Sequence, residues 1–229
     1  MSEHEYEPIP GLPGRLPPGE HILWQGLPQW PRLARDVFHA NKVATYFAGL
    51  LGLRALIELS TGATLLQTAQ TTATAALWLI PLALCAVAIL VLLAYLTQRT
   101  TIYTITNRRV VIRFGIALPM TINFPFRTIG AVSLRQRTDD VGDIAMSIVG
   151  GDRIAYLVLW PHARPWYVSK PEPMLRAVGD AAKVGSILAN AIAMSTAKSS
   201  TVVANAAPAA RKPIPSQQGE MPSSIALAS

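Results

Sequence analysis

ATAALWLIPLALCAVAILVLLAYL, residues 73 to 96, is the stretch that decides how this chain folds, because it contains no charged residue at all. A helix rises 1.5 Å per residue, so about 20 residues cross a hydrocarbon core of about 30 Å. Residues 73 to 97 are therefore expected as a transmembrane helix. Trp78 and Tyr95 stand near its two ends, where aromatic side chains settle at membrane interfaces, and Gln98 and Arg99 stop the run. Pro81 falls in the early turns, where a membrane helix tolerates a proline. Cys85, the single cysteine, lies inside the run as a small hydrophobe, and no intramolecular disulfide can form.

Upstream, residues 43 to 59 form a shorter apolar stretch that ends with Arg54 and Glu58. These two are four residues apart, so they share a helical face, can pair, and can reach water from near the interface; a buried functional ion pair is the sharper alternative. Thr45, Ala48, Gly49 and Gly52 place small side chains on neighbouring positions, which would let another helix approach closely. The second span is the default partner, and another copy of the chain is the alternative.

The residues between the spans, 60 to 72, carry no charge, whereas Arg32, Arg35, His39 and Lys42 precede the first span and Arg99, Arg108, Arg109 and Arg113 follow the second. Cytoplasmic flanks of membrane helices are enriched in Lys and Arg. Both termini are thus expected in the cytoplasm, with residues 60 to 72 as a short periplasmic loop. Composition agrees: 51% of the 229 residues are hydrophobic and 14% charged, against about 25% charged in soluble domains. The net charge of +7 suits the anionic cytoplasmic leaflet. Nucleic acid is not expected as a partner, because the basic residues flank the spans and form no continuous stripe. Residues 1 to 19 lack the basic start and apolar core of a signal peptide and are expected to be retained.

After the second span the pattern changes to short β-branched runs. TTIYTI, residues 100 to 105, and VVIRF, residues 110 to 114, flank a turn and read as a hairpin. Residues 120 to 124, 128 to 134, 144 to 149 and 153 to 160 read as further strands, with Asp139, Asp140 and Asp143 in a turn. Beyond Pro171, Leu175, Val178, Ala181, Ala182, Leu188 and Ile192 recur at helical spacing, with Arg176, Asp180, Lys183 and Asn190 opposite. Glu172 and Pro173 suit the first turn of that helix. Residues 98 to 196 are therefore expected as a small antiparallel sheet or barrel closed by one C-terminal amphipathic helix, an α+β domain beside a membrane α-helical hairpin. Residues 197 to 229 are rich in Ala, Ser and Pro and are expected to be disordered. Residues 1 to 42 form an N-terminal cytoplasmic segment whose packing against that domain is left open.

The segment Tyr103 to Ile112 (YTITNRRVVI), the turn at Gly115 and the segment Ile129 to Leu134 (IGAVSL) resemble bacterial PH-like domains attached to membrane helices. GEHILWQG, residues 19 to 26, and RDVFHANKVATYFA, residues 35 to 48, are similar to a narrower family, the PuhB-type photosynthetic complex assembly proteins of purple bacteria. The resemblance covers about residues 5 to 195. It implies a non-enzymatic role in building the photosynthetic reaction centre and its core antenna in the bacterial inner or intracytoplasmic membrane; the alternative is a general PH-like membrane protein that binds anionic lipid or scaffolds other membrane proteins. It further implies reaction-centre subunits, core antenna polypeptides and membrane lipid as partners, with a homodimer compatible with the small-residue face. Some relatives carry three spans; here Arg176, Asp180 and Lys183 make insertion of the C-terminal helix costly.

No catalytic residues, metal ligands or cofactors are expected. His4, His21, His39 and His162 lie in separate segments without metal-ligand spacing, and the aspartates around Asp140 lack the alternation of a calcium loop. His39, next to the first span, is the one candidate to ligate a pigment magnesium, though such histidines more often only sit at the interface. No phosphate loop or nucleophile elbow is present. Arg108, Arg109 and Arg113 are the candidate contacts to lipid head groups or an acidic partner segment, each worth about 1 kcal/mol at an anionic surface. An exposed sheet edge that accepts a partner's strand is the expected holding mechanism.

Overall fold

The computed structural model describes residues 9–136, 140–150 and 154–206. His4, Asp139, Arg153 and the tail from 207 onwards lie outside the described residues. A strand β1 (Ile22–Gly26) and a short helix α1 (Trp30–Asp36) precede two long helices, α2 (Ala40–Ser60) and α3 (Leu65–Thr100). Both long helices are apolar enough to cross a bilayer, and neither apolar stretch is buried within the protein.

The two helices pack along each other and are joined by only a few residues. The expected loop over 60 to 72 is helical from Leu65 onward. A capping box explains the early start: Gln67 N–H donates to Thr64 Oγ1 at 3.3 Å, and Thr64 N–H donates to Gln67 Oε1 at 3.0 Å. At 36 residues α3 extends to about 54 Å, well beyond a hydrocarbon core. Its Thr- and Gln-rich first turns are the surplus.

Beyond α3 come β2 (Ile102–Thr106), β3 (Arg109–Phe114), β4 (Met120–Pro125), β5 (Ile129–Gln136) and β6 (Gly142–Ile148), then a one-turn helix α4 (Tyr156–Leu159), β7 (Met174–Val178) and α5 (Ala181–Ala206). The strands form two antiparallel sheets in place of the single expected one, ordered β1-β2-β3-β4 and β5-β6-β7. The N-terminal segment therefore joins the fold: β1 pairs with β2, setting Gln25 opposite Thr104.

Two other expectations fail for related reasons. Residues 153 to 160 read as a strand in the sequence, yet Tyr156–Leu159 is helical and buries Leu159 in the core. Both edges of β6 are already taken by β5 and β7, so no ladder remains for another strand beside it. Leu175 and Val178 have helical spacing, but Met174–Val178 is a strand buried at every position. A strand covered on both faces has no alternation, and over five residues its apolar run cannot be told from a helix turn. Asp180, in the left-handed region at φ 50°, ends that segment, and α5 starts at Ala181. Val184, Leu188 and Ala191 of α5 then cover a core that includes Tyr103, Ile112, Ile144, Met146 and Leu175, while Ala182 faces out. Helix α5 also continues to Ala206, through residues expected to belong to the disordered tail.

Helix α1 ties the helical hairpin to the second sheet. Leu33 and Ala34 pack with Ala94 of α3 on one side and with Val141 and Ala177 on the other. Gln29 N–H donates to Ala177 O at 2.9 Å, and Trp30 N–H donates to Gln98 Oε1 at 2.9 Å. Ala177 is held in the left-handed region at φ 51° by a second bond, its own N–H donating to Asp143 Oδ1 at 3.0 Å. Asp143 is thus a buried strand residue and not a turn aspartate.

Candidate functional site

The basic residues that follow α3 in sequence separate in space. β2 leads away from α3 for five residues, about 17 Å of strand, before the turn that carries Arg108 and Arg109. There both are engaged by the N-terminal segment. Arg109 Nε lies 2.8 Å from Glu20 Oε1, whose carboxylate also accepts from Thr106 Oγ1 at 2.9 Å, and Arg108 Nη2 donates to Pro18 O at 3.3 Å. Arg113 alone returns toward α3, opposite Ile102.

On α2 the small-residue face turns outward. A methyl group on Gly49 or Gly52 would meet no atom within 4 Å, and Thr45 and Ala48 are exposed as well. The half-covered positions Val43, Phe47, Leu50 and Leu51 mark the side toward α3. Larger side chains bury more apolar area per turn than glycines do, which explains the choice of face. The second helix of the same chain is therefore not the partner of the small-residue face. Arg54 and Glu58 do pair, Nη2 to Oε1 at 2.6 Å.

A polar cluster sits inside the domain. His162, fully buried, places Nδ1 2.9 Å from the Tyr103 hydroxyl and Nε2 3.3 Å from Thr101 Oγ1. The Tyr103 oxygen accepts from Arg176 N–H at 3.1 Å, and its own O–H has two acceptors within reach, His162 Nδ1 and Arg176 O at 3.5 Å. Burial, helped by the Arg176 charge, lowers the imidazole pKa to about 3. Burial likewise raises the Tyr103 phenol above its ordinary value. Both groups stay neutral across the physiological range, which fits a packing role. Arg176, expected on the polar side of a helix, is buried in β7 with Nη1 donating to Pro161 O at 3.3 Å.

Between the α1–α2 junction and the second sheet lies a cleft of about 990 Å³. Arg35 and Lys42 enter it from the junction, Arg135 from β5, Arg164 from the loop before β7, and Arg176 from β7 itself. Asp36 and Asp143 are the carboxylates on its wall, so cations outnumber anions. Arg164 is matched by Glu172 at 2.7 Å, a hydrogen bond that raises its pKa, and lies 4.2 Å over the Tyr167 ring. Arg35, Lys42 and Arg135 make no ion pair among the described residues. Trp160, Trp166 and Tyr167 complete the wall, and Trp160 meets Phe38 edge-on with ring centroids 5.7 Å apart. Of these residues, Arg35 and Lys42 are visible in the sequence as part of a basic flank. Arg135, Arg164 and the aromatics are not, since they come from segments far apart in the chain with no shared motif.

Comparison with known proteins places this architecture. The family model for the bacterial PH domain matches residues 48–192. A protein of Rhodobacter capsulatus described as "Uncharacterized 23.7 kDa protein in puhA 5'region" is 38% identical over 195 residues, covering 83% of this chain and 89% of the relative. No solved structure matches. The family match starts inside α2, so β1, which extends the first sheet, lies upstream of it. With more than half of its length matched, from within α2 to α5, the chain belongs to the bacterial PH domain family.

Proposed function

We propose that this protein is a non-enzymatic membrane assembly factor for the photosynthetic reaction centre and its core light-harvesting antenna. Helices α2 and α3 cross the inner or intracytoplasmic membrane as a hairpin, and the PH-like domain hangs on the cytoplasmic side with both termini. The basic flanks around Arg35, Lys42 and Arg99 favour that orientation. The observation that carries the photosynthetic reading is the near full-length similarity to a relative placed in the 5' region of puhA, a locus sharing its stem with the PuhB-type family.

The geometry supports a holding role in two places. The outward face of Thr45, Ala48, Gly49 and Gly52 is free to receive a partner's transmembrane helix or a second copy. The outer strands of the two sheets, β4 and β5 among them, have backbone groups with which a cytoplasmic segment of a nascent subunit can pair. Deletion of the gene from its phototrophic host is expected to lower reaction-centre and core-antenna absorbance together, and affinity capture from solubilised membranes to recover reaction-centre subunits. Normal accumulation of both complexes in the deletion strain would refute the proposal.

A further inference from the structure

The cleft beside the α1–α2 junction combines three features that the holding role does not use. Arg35, Lys42 and Arg135 reach it from separate elements and form no ion pair among the described residues, Asp143 standing opposite Arg135 across the β5–β6 ladder. Helix α2 begins at its edge with no acidic residue in the first turn and no side chain capping the free amides, so the positive end of a 21-residue helix adds to the same field. Asp36 and Asp143 on the same wall offset part of this charge, and the cations that remain in excess favour an entering anion.

The rim names the class of anion. The segment from Tyr156 to Val168 exposes Leu157 at 84% and Trp166 at 93%, with Trp160 and Val168 also open to solvent. Large apolar side chains exposed together mark a surface meant to be covered. This one is pinned by the Trp160–Phe38 contact next to Ala40, where α2 starts, and Lys42 precedes the apolar stretch by one residue. In the proposed hairpin topology, that is the depth of the lipid head groups, where tryptophan settles. We infer that the cleft binds the phosphate head group of an anionic phospholipid of the cytoplasmic leaflet, with Arg35, Lys42 and Arg135 around the phosphate and the Trp160–Trp166 rim set among the acyl chains. An acidic peptide would be served by the cations alone and has no need of the apolar rim.

The inference rests on the membrane placement of α2 and α3, and its failure can be told from failure of that placement. Carbonate washing that releases the protein from membranes overturns both. If the protein stays, the full-length chain in detergent is offered phosphatidylglycerol and phosphatidylcholine, and retained lipid is counted by native mass spectrometry. Retention of one phosphatidylglycerol in preference to phosphatidylcholine is expected. Arg35→Gln, Lys42→Gln and Arg135→Gln should each weaken that retention about fivefold, the factor that corresponds to about 1 kcal/mol for a cation at an anionic surface. Arg108→Gln, an equal loss of charge at the hairpin tip, should leave it unchanged, and Arg135→Lys should retain it if Arg135→Gln unfolds. Equal retention of both lipids, or an equal effect of Arg108→Gln, overturns the inference. So does displacement of the lipid by excess inorganic phosphate, which would make this a site for the free anion, or by a polyglutamate peptide, which would make it a peptide site.

Discussion

Two basic clusters in this protein have opposite fates. At the tip of the β2–β3 hairpin, Arg108 and Arg109 are adjacent in sequence and close behind an apolar helix, yet the strand carries them away and Glu20 and Pro18 take up their donors. In the cleft, Arg35, Lys42 and Arg135 are scattered over a hundred positions of chain and converge without forming an ion pair among the described residues. Adjacency to an apolar helix in sequence thus says little about adjacency in space once a strand intervenes, because five residues of strand cover about 17 Å. The first cluster stabilises the fold and the second leaves its charge available.

Removing the anion of the first cluster should give the largest effect. Glu20→Ala leaves Arg109 without its carboxylate, a group only 2% exposed, while the Thr106 hydroxyl keeps Arg109 O as acceptor at 3.1 Å. A loss of about 3 kcal/mol is expected, read as a lower urea midpoint of the full chain in detergent. A loss below about 1 kcal/mol would mean that the tip is not structural and would break the contrast.

Acid probes the core between the clusters. The unfolded chain takes up a proton at His162 below about pH 6.5, whereas the folded ring resists protonation until about 3. Its contribution is therefore complete above pH 6.5 and declines as pH falls through that window, by roughly 2 kcal/mol between pH 7 and pH 5. His162→Gln should flatten this slope. If the slope persists in that variant, the acid sensitivity does not come from the imidazole.

The second cluster should answer differently. Arg135→Gln is expected to change unfolding free energy by less than about 0.5 kcal/mol, as at other exposed positions, while lowering anionic lipid retention. A matching loss of stability would show Arg135 to be tied into the fold after all. Smallest of all is the Arg54–Glu58 pair, where Arg54→Gln should cost on the order of 0.4 kcal/mol, the usual worth of such a spacing on a helix. A larger loss, seen in thermal unfolding in detergent, would mark the pair as buried between helices.

Several elements are legible because their signal is local. A charge-free run of 24 residues needs no partner to be read as a long apolar helix, and hairpin turns announce β2 and β3. Strand β7 is illegible, since Leu175 and Val178 fit either period and only its pairing with β6 and its cover by α1 select the strand. The turn role of Asp143 fails likewise: it caps the strained amide of Ala177, a residue that sequence places thirty-four positions away.

By itself the sequence determined the two apolar helices, the sense of the charge around them and the β-rich character of the residues after the second, each a property of neighbouring side chains. Only the tertiary structure decided that the N-terminal segment supplies a strand, that the glycine face of α2 looks outward, and that one group of cations is neutralised while another lines an open cleft. Those outcomes depend on which distant groups meet, and burial and pairing energies between separate segments leave no trace in local periodicity.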